Sequence, residues 1–145
     1  MKALIQRAAR AEVRIAGQQV ARIDSGILAL IGIEATDSAE TAGVLLERVL
    51  TYRVFADEAG KMNLNLRQVG GGLLLVPQFT LVAETHKGTR PGFSRGATPA
   101  AARVVYDGVV EIAAAMHPEV ASGVFGADMQ VELVNDGPVT FWLQT

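Results

Sequence analysis

Hydrophobic and polar positions change their spacing several times along the chain, and each change marks an element. Val13 and Ile15 alternate with polar neighbours before Gly17-Gln18, and Val20 and Ile23 follow, which predicts a hairpin. Ile27 to Ile33 is a continuous apolar run between Gly26 and Glu34, the pattern of a strand buried on both faces in the middle of a sheet. Asp37 and Glu40 have capping-box spacing, with Asp in place of the usual Ser or Thr. Beyond them Ala42, Leu45, Leu46, Val49 and Leu50 recur at helical intervals, predicting a helix over about Ser38 to Thr51.

A second helix is marked at both ends. Thr98 suits its cap and Pro99 its first turn, Ala101, Val105, Val109, Ile112 and Met116 form one stripe, and His117-Pro118 stops it. Between the helices, Gly70-Gly71-Gly72 leads into the buried-strand run Leu73 to Val76, which ends at Pro77, where a ladder donor is lost. The triple glycine lacks a following Lys-Ser/Thr and opens no helix, so it reads as a turn and not as a phosphate loop. Towards the C-terminus Met129, Val131 and Leu133 alternate with Gln130 and Glu132. A turn at Asn135-Asp136-Gly137-Pro138 into Val139 to Gln144 then predicts a closing antiparallel hairpin. No internal repeat or linker is visible. Residues 1–145 are therefore expected to form a single mixed α/β domain, a curved and mostly antiparallel sheet with two main helices packed on it.

Composition narrows the chemistry. Half of the 145 residues are apolar and 19% are charged, enough for a well-filled core. Cysteine is absent, which removes disulfides, thiolate nucleophiles and cysteine zinc sites. His86 and His117 lack metal-ligand spacing, so neither a metal nor another cofactor is expected. No Gly-x-Ser-x-Gly elbow is present, and Ser25, Ser38, Ser94 and Ser122 read as turn and cap residues. The opening Met1 to Arg7 turns polar before any signal-type stretch develops, and Ile27 to Ile33 is too short to span a bilayer; the cytoplasm is expected, with no membrane contact. A net charge of −2 confines any RNA contact to a local patch. Glu84 to Arg95 is such a stretch, with Lys87, Arg90 and Arg95 against one acid; an RNA-contacting loop and a solvated surface loop both fit it.

Two short segments discriminate further. In Pro77-Gln78-Phe79-Thr80-Leu81 a buried strand hands over to polar Gln78 and Thr80 where its ladder breaks, which fits a site lining and a structural turn alike. In Asn135-Asp136-Gly137-Pro138-Val139-Thr140 the tertiary amide at Pro138 permits a cis bond and Gly137 permits backbone angles closed to other residues, although alone the segment is an ordinary hairpin. Taken in this order, with Met1-Lys2-Ala3-Leu4-Ile5-Gln6-Arg7 at the start, Lys61-Met62-Asn63-Leu64-Asn65 in the middle and Phe141-Trp142-Leu143-Gln144 at the end, the chain resembles the D-aminoacyl-tRNA deacylases along its whole length.

The resemblance implies a hydrolase that cleaves the ester between a D-amino acid and the 3′ end of a tRNA, acting as a homodimer. It implies that Gly137-Pro138, joined by a cis bond, reaches into the partner's active site, where adjacent carbonyls accept from the substrate's α-ammonium group and close-set backbone leaves no room for an L side chain. Glycine would pass such a filter, so glycyl-tRNA mischarged on alanine tRNA is an implied second substrate. By the same resemblance Gln78, Phe79 and Thr80 border the scissile ester, Arg7 lies near the terminal nucleotide, and Phe125 and Met129 lie close to its adenine. Backbone amides around Phe79 and Thr80 are the candidates for holding the oxyanion. The chain departs from the family in carrying Pro77 where serine usually precedes the glutamine, so no hydroxyl or N–H acts there, and Gly92 where the basic loop usually has serine.

Two other classes remain to be weighed. A threonine-nucleophile amidohydrolase needs a base beside Thr80, and no histidine lies near it in sequence. A non-catalytic RNA-binding module needs stacking aromatics on a strand face, and few are available. Since a lone threonine hydroxyl is a weak nucleophile, the ribose hydroxyl next to the ester is the better candidate for activating water.

Overall fold

The computed structural model describes residues 1–145. Its elements are β1 (Lys2–Ile15), β2 (Gln18–Ile23), β3 (Gly26–Gly32), α1 (Ala39–Thr51), β4 (Phe55–Ala56), β5 (Met62–Leu64), α2 (Leu66–Val69), β6 (Gly72–Pro77), a 3₁₀ turn (Phe79–Val82), α3 (Pro99–Met116), β7 (Val120–Ser122) and β8 (Gln130–Gln144). The main sheet runs β2-β1-β3-β6-β7, with β8 on the other edge of β1. Pairings of β1 with β2, β3 and β8 are antiparallel; β3–β6 and β6–β7 are parallel, each joined through a helix, α1 and α3 respectively.

Both faces of the sheet are apolar, as the long hydrophobic runs require. Ala3, Ile5, Ile27, Ala29, Ile31, Leu73 and Leu75 face α1 and α3 in the larger core, while Leu28, Leu74 and Val76 join Ala8, Ala11, Val13, Ala21 and Ile23 in the smaller one. Strand β1 serves both because its pairing with β8 slips between Gln6 and Ala8 and again between Ala8 and Arg10, and a slip of one residue exchanges the faces of a strand.

The predicted hairpin β1–β2, the mid-sheet strand β3 and the strand β6 ending at Pro77 are all present. Helix α1 buries Ala42, Leu45, Leu46, Val49 and Leu50, the five residues its spacing picks out. Its cap is different from the one expected. Ser38 closes the capping box with Thr41, while Asp37 accepts the Glu34 N–H at 2.7 Å and faces the Met1 ammonium at 2.6 Å, so its carboxylate is engaged elsewhere. In α3 the cap Thr98, the first-turn Pro99 and the stop at His117 hold, but the buried stripe is Ala102, Tyr106, Val109 and Ala113; Ala101 is exposed. Tyr106 sets this face by burying its ring and donating its hydroxyl to the Leu75 carbonyl at 3.0 Å, a choice that an aliphatic count passes over.

The C-terminal hairpin is not formed. β8 is one strand of 15 residues, antiparallel to β1 throughout, and Asn135 to Pro138 does not reverse it. Gln6 pairs with Thr140 and Ala8 with Asn135, so Asp136 to Val139 are lifted out as a bulge opposite Arg7 alone. The segment Lys61 to Asn65 is structural. Asn63 donates to the Asp57 carboxylate at 2.7 Å and Asn65 caps α2, and the bonds Asp57 accepts from Lys61 and Asn63 hold its carboxyl below the usual aspartate range. No helix is long and apolar enough to cross a membrane.

Candidate functional site

Parallel strands in an α/β sheet commonly present their ligand sites at the carboxyl end, and the largest cleft of this chain opens there. Pro77 ends the β6 ladder for want of an N–H, and the pairing resumes one residue later, where the Gln78 N–H donates to the Ile31 carbonyl at 2.7 Å. The chain then tightens into the 3₁₀ turn. Amides in the first turn of a helix have no intrahelical acceptor, and neither the Phe79 nor the Thr80 N–H donates to another backbone group. Two successive free amides are suited to hold developing negative charge.

A cleft of about 520 Å³ lies beside this turn, lined by Pro77, Gln78 and Phe79, by the start of α3, and by Phe125, Asp128 and Met129. Its walls are braced. The Arg103 guanidinium stands 5.3 Å from the centre of the Phe125 ring and donates to the Phe125 carbonyl at 3.0 Å, and the Tyr106 ring packs behind at 6.0 Å. Burial pushes the Tyr106 phenol well above its ordinary range, so it stays neutral there. Met129 is held by its sulfur, which accepts the Val124 N–H at 3.3 Å; a Cβ on Gly123 would fall 2.8 Å from that sulfur, so this close approach needs glycine.

Phe79 is 64% exposed and lies 5.1 Å from Phe93, which belongs to the basic loop. The loop is pinched where Glu84 and Gly92 exchange backbone bonds of 2.7 and 3.0 Å. Lys87 and Arg90 are exposed and in no ion pair, whereas Arg95 stands 3.8 Å from the Glu34 carboxylate. The Thr80 hydroxyl accepts from Gln78 Nε2 at 2.6 Å, and no imidazole or carboxylate hydrogen-bonds to it. His117 is buried, its Nε2 2.7 Å from the Gly71 carbonyl, and His86 is exposed in the loop. A carbonyl only accepts, so Nε2 carries the proton and His117 acts as a brace for the glycine turn. Asp128 is the one ionisable residue of the cleft lining; nothing in its sequence surroundings marks it, because only the fold carries Phe125 to Met129 to the end of β6.

Arg7, Gly137 and Pro138 form a separate group. Arg7 is largely buried at the base of the β8 bulge, where its Nε donates to the Asp136 carbonyl at 2.9 Å and its Nη1 to the Val54 carbonyl at 2.6 Å. Asp136 to Pro138 are exposed; Gly137 has φ of +135° and its bond to Pro138 is cis. A Cβ at Gly137 would lie 2.7 Å from Val139 Cγ2 and 3.0 Å from Arg7 Nη2. Arg7 and Asp136 border an open depression of about 500 Å³ that has no residue in common with the cleft. Of the residues singled out in the sequence, the chain thus brings together Gln78, Phe79, Phe125 and Met129 in the cleft, keeps Thr80 beside them through its bond to Gln78, and sets Arg7, Gly137 and Pro138 elsewhere.

Comparison with known proteins is consistent along the chain. The model of the family described as D-Tyr-tRNA(Tyr) deacylase matches residues 4–144. The chain is similar to the D-aminoacyl-tRNA deacylase of Azotobacter vinelandii (strain DJ), 57% identical over 144 residues and covering 99% of each chain, and to that of Stutzerimonas stutzeri (strain A1501), 55% identical over 145 residues and all of both. Among solved structures it superposes on a c-Myc DNA unwinding element binding protein with a TM-score of 0.95 at 35% identity, covering 100% of this chain and 99% of that one. A probable eukaryotic D-amino acid tRNA deacylase shares the fold, with a TM-score of 0.87 at 15% identity over 98% and 97% of the two chains.

Proposed function

The chain belongs to the D-Tyr-tRNA(Tyr) deacylase family, hydrolases of the aminoacyl-tRNA ester, and from that premise we propose that its active site is shared between two copies of the chain. In this reading the cleft of one subunit supplies Gln78, Phe79 and Thr80 around the ester and Phe125 and Met129 around the terminal adenine, and Gly137-Pro138 of the partner closes it. The carrying observation is the separation of the two groups. A bulge held in place yet exposed, whose Gly137 and Pro138 line neither the cleft nor the depression beside Arg7, suits a part that works in another chain.

Closure by backbone accounts for the stereochemistry. Where Gly137 presents no side chain of its own, its main chain approaches the substrate's α-carbon closely; hydrogen fits on that side and an L side chain does not. D-aminoacyl esters and glycyl-tRNA mischarged on alanine tRNA pass, and L-aminoacyl-tRNA is rejected. Arg7, bonded to the Asp136 and Val54 carbonyls, stands at the base of the bulge and reaches the terminal nucleotide from the same side.

For the chemical step, the free amides of Phe79 and Thr80 hold the oxyanion while the neighbouring ribose hydroxyl of the substrate orients the attacking water. The Thr80 oxygen, occupied by Gln78 and without a base, is not arranged as a nucleophile. Such a substrate places the enzyme in the compartment of translation, the cytoplasm. Subunit mixing tests the shared site. Gly137→Ala subunits and Phe79→Pro subunits, the latter lacking an oxyanion amide at a first-turn position that tolerates proline, should each be defective alone and on mixing restore about a quarter of wild-type activity, because half the dimers are mixed and each of these has one intact site. Additive low activities, or a fully active monomer by light scattering, would refute it.

A further inference from the structure

The β8 bulge is long, and its own ladder does not hold it. Asp136 to Val139 stand opposite Arg7 alone, and residues lifted from a ladder keep their conformational freedom unless other bonds remove it. The Arg7 guanidinium secures only the Asp136 end. The opposite end is secured by Asn135. Its Oδ1 accepts the Val139 N–H at 2.8 Å and its Nδ2 donates to Thr140 Oγ1 at 2.8 Å, while Gln6 Nε2 on β1 donates to the same hydroxyl oxygen at 3.3 Å. One half-buried amide therefore joins the residue before the bulge to its last residue, Val139, to Thr140 just after it and, through Thr140, to the neighbouring strand.

We propose that Asn135 is a positioning residue for chiral discrimination: by closing the mouth of the bulge it sets how far Gly137 and Pro138 project. The proposal rests on the reading of those two residues as the wall that excludes L substrates. The amide supplies both halves of the clasp, an acceptor for the Val139 N–H and a donor to the Thr140 oxygen, and because a hydroxyl can also donate, Thr140 could turn to meet a carboxylate in the same place. A wall that rejects by shape depends on its position to a fraction of an ångström. Loosening it admits the L side chain, while the D substrate, whose side chain points away, still reacts.

The test compares kcat/KM on D-tyrosyl-tRNA and L-tyrosyl-tRNA, with Tm followed for each variant. Asn135→Ala should lower the D-to-L ratio by about tenfold, the equivalent of one to two lost hydrogen bonds, mainly through a gain of activity on the L ester. Asn135→Asp keeps the acceptor for Val139 and should recover most of the ratio. Thr140→Val removes the second contact at an exposed position and should lower the ratio by a smaller factor, deciding the matter if Asn135→Ala does not fold. A folded Asn135→Ala or Thr140→Val with the wild-type ratio overturns the proposal. Gly137→Ala separates the two levels: if it too keeps full D activity and the wild-type ratio, the wall itself is elsewhere; if it alone is impaired, the wall stands and Asn135 does not position it.

Discussion

The Gln78–Thr80 turn and the Gly137–Pro138 bulge are both points where a strand loses its ladder, but their surroundings are opposite. The turn lies in a cleft whose walls its own chain braces, with Phe125 fixed by Arg103 and Tyr106, and Met129 by the Val124 amide. The bulge is fastened just as firmly, by Arg7, Asn135 and Thr140, and faces solvent. Fastening an exposed segment costs conformational entropy with no packing to offset it. On the shared-site reading, the difference separates the region where chemistry is assembled from the region that works as a fixed shape against another molecule.

That division is most sharply broken by the substrate. If the turn supplies positioning and amides and the RNA supplies the hydroxyl, a tRNA ending in 2′-deoxyadenosine with a 3′-linked ester should react about 10²- to 10⁴-fold more slowly, the range for one well-placed catalytic group, and Thr80→Ala only a few-fold more slowly. A dead Thr80→Ala with a normal deoxy substrate would make Thr80 the nucleophile. The next effect belongs to the bulge. Gly137→Ala sets a methyl against Val139 and Arg7 at a positive φ, so it should lose about 1–2 kcal/mol of stability, and the methyl, intruding where the substrate's α-carbon must sit, should cut D-aminoacyl-tRNA turnover by roughly a hundredfold. Calorimetry and single-turnover deacylation read the two parts separately.

Smaller effects sharpen the contrast from the cleft side. Replacing Lys87 and Arg90 by alanine should raise KM and reduce the slope of log KM against log salt by roughly 1.4 to 1.8, the loss of two phosphate contacts, with kcat unchanged. A collapse of kcat would assign the loop to the catalytic apparatus. Tyr106→Phe should cost about 1 kcal/mol, because the Leu75 carbonyl keeps its bond from the Gly123 amide, and should leave kcat nearly intact. Its pH dependence has a definite sign. The folded phenol titrates above the ordinary value of 10.0, so the unfolded chain releases its proton first; the stability is whole below that pH and falls as the solution becomes more alkaline. Alkaline melting curves of Tyr106→Phe should lack that fall.

Much of the scaffold was legible because burial is written in spacing. Helix α1, strands β3 and β6 and the caps of α3 follow from periodicity, Pro and Thr. Along α3 Val105, Val109, Ile112 and Met116 of the aliphatic stripe do pack on the core, but the most deeply buried line runs one residue further on, through Ala102, Tyr106 and Ala113, because the tyrosine ring is buried with its hydroxyl bonded. The C-terminal hairpin failed for a deeper reason: Asn-Asp-Gly-Pro carries turn chemistry whether the chain reverses or merely bulges, and only the partner strand decides, since β1 continues on both sides of Arg7 and pairs with both halves. The candidate site is less legible than the scaffold. Gln78 to Thr80 stand out as polar residues at a strand end, a pattern that fits a turn as well as a site, and the roles of Gln78, Phe79, Thr80, Phe125, Met129 and Gly137 rest on resemblance. Asp128 and Asn135 were silent because their significance lies in neighbours distant along the chain or folded back across a bulge.

Strand β8 begins one residue after Met129 and carries Gly137 in its middle, so a single run of backbone, roughly 20 Å over the six extended steps from Met129 to Asn135, sets the span between the cleft wall at Met129 and the bulge. On the shared-site reading, each strand calibrates two sites at once, its own at one end and the partner's further along. Insertions and deletions between residues 129 and 137 would therefore miscalibrate both together, while the basic loop, anchored apart from this ruler, is free to change length. Evolutionary drift should accordingly be confined to the substitution of side chains along β8, with its length kept constant wherever both substrate ends must be gripped.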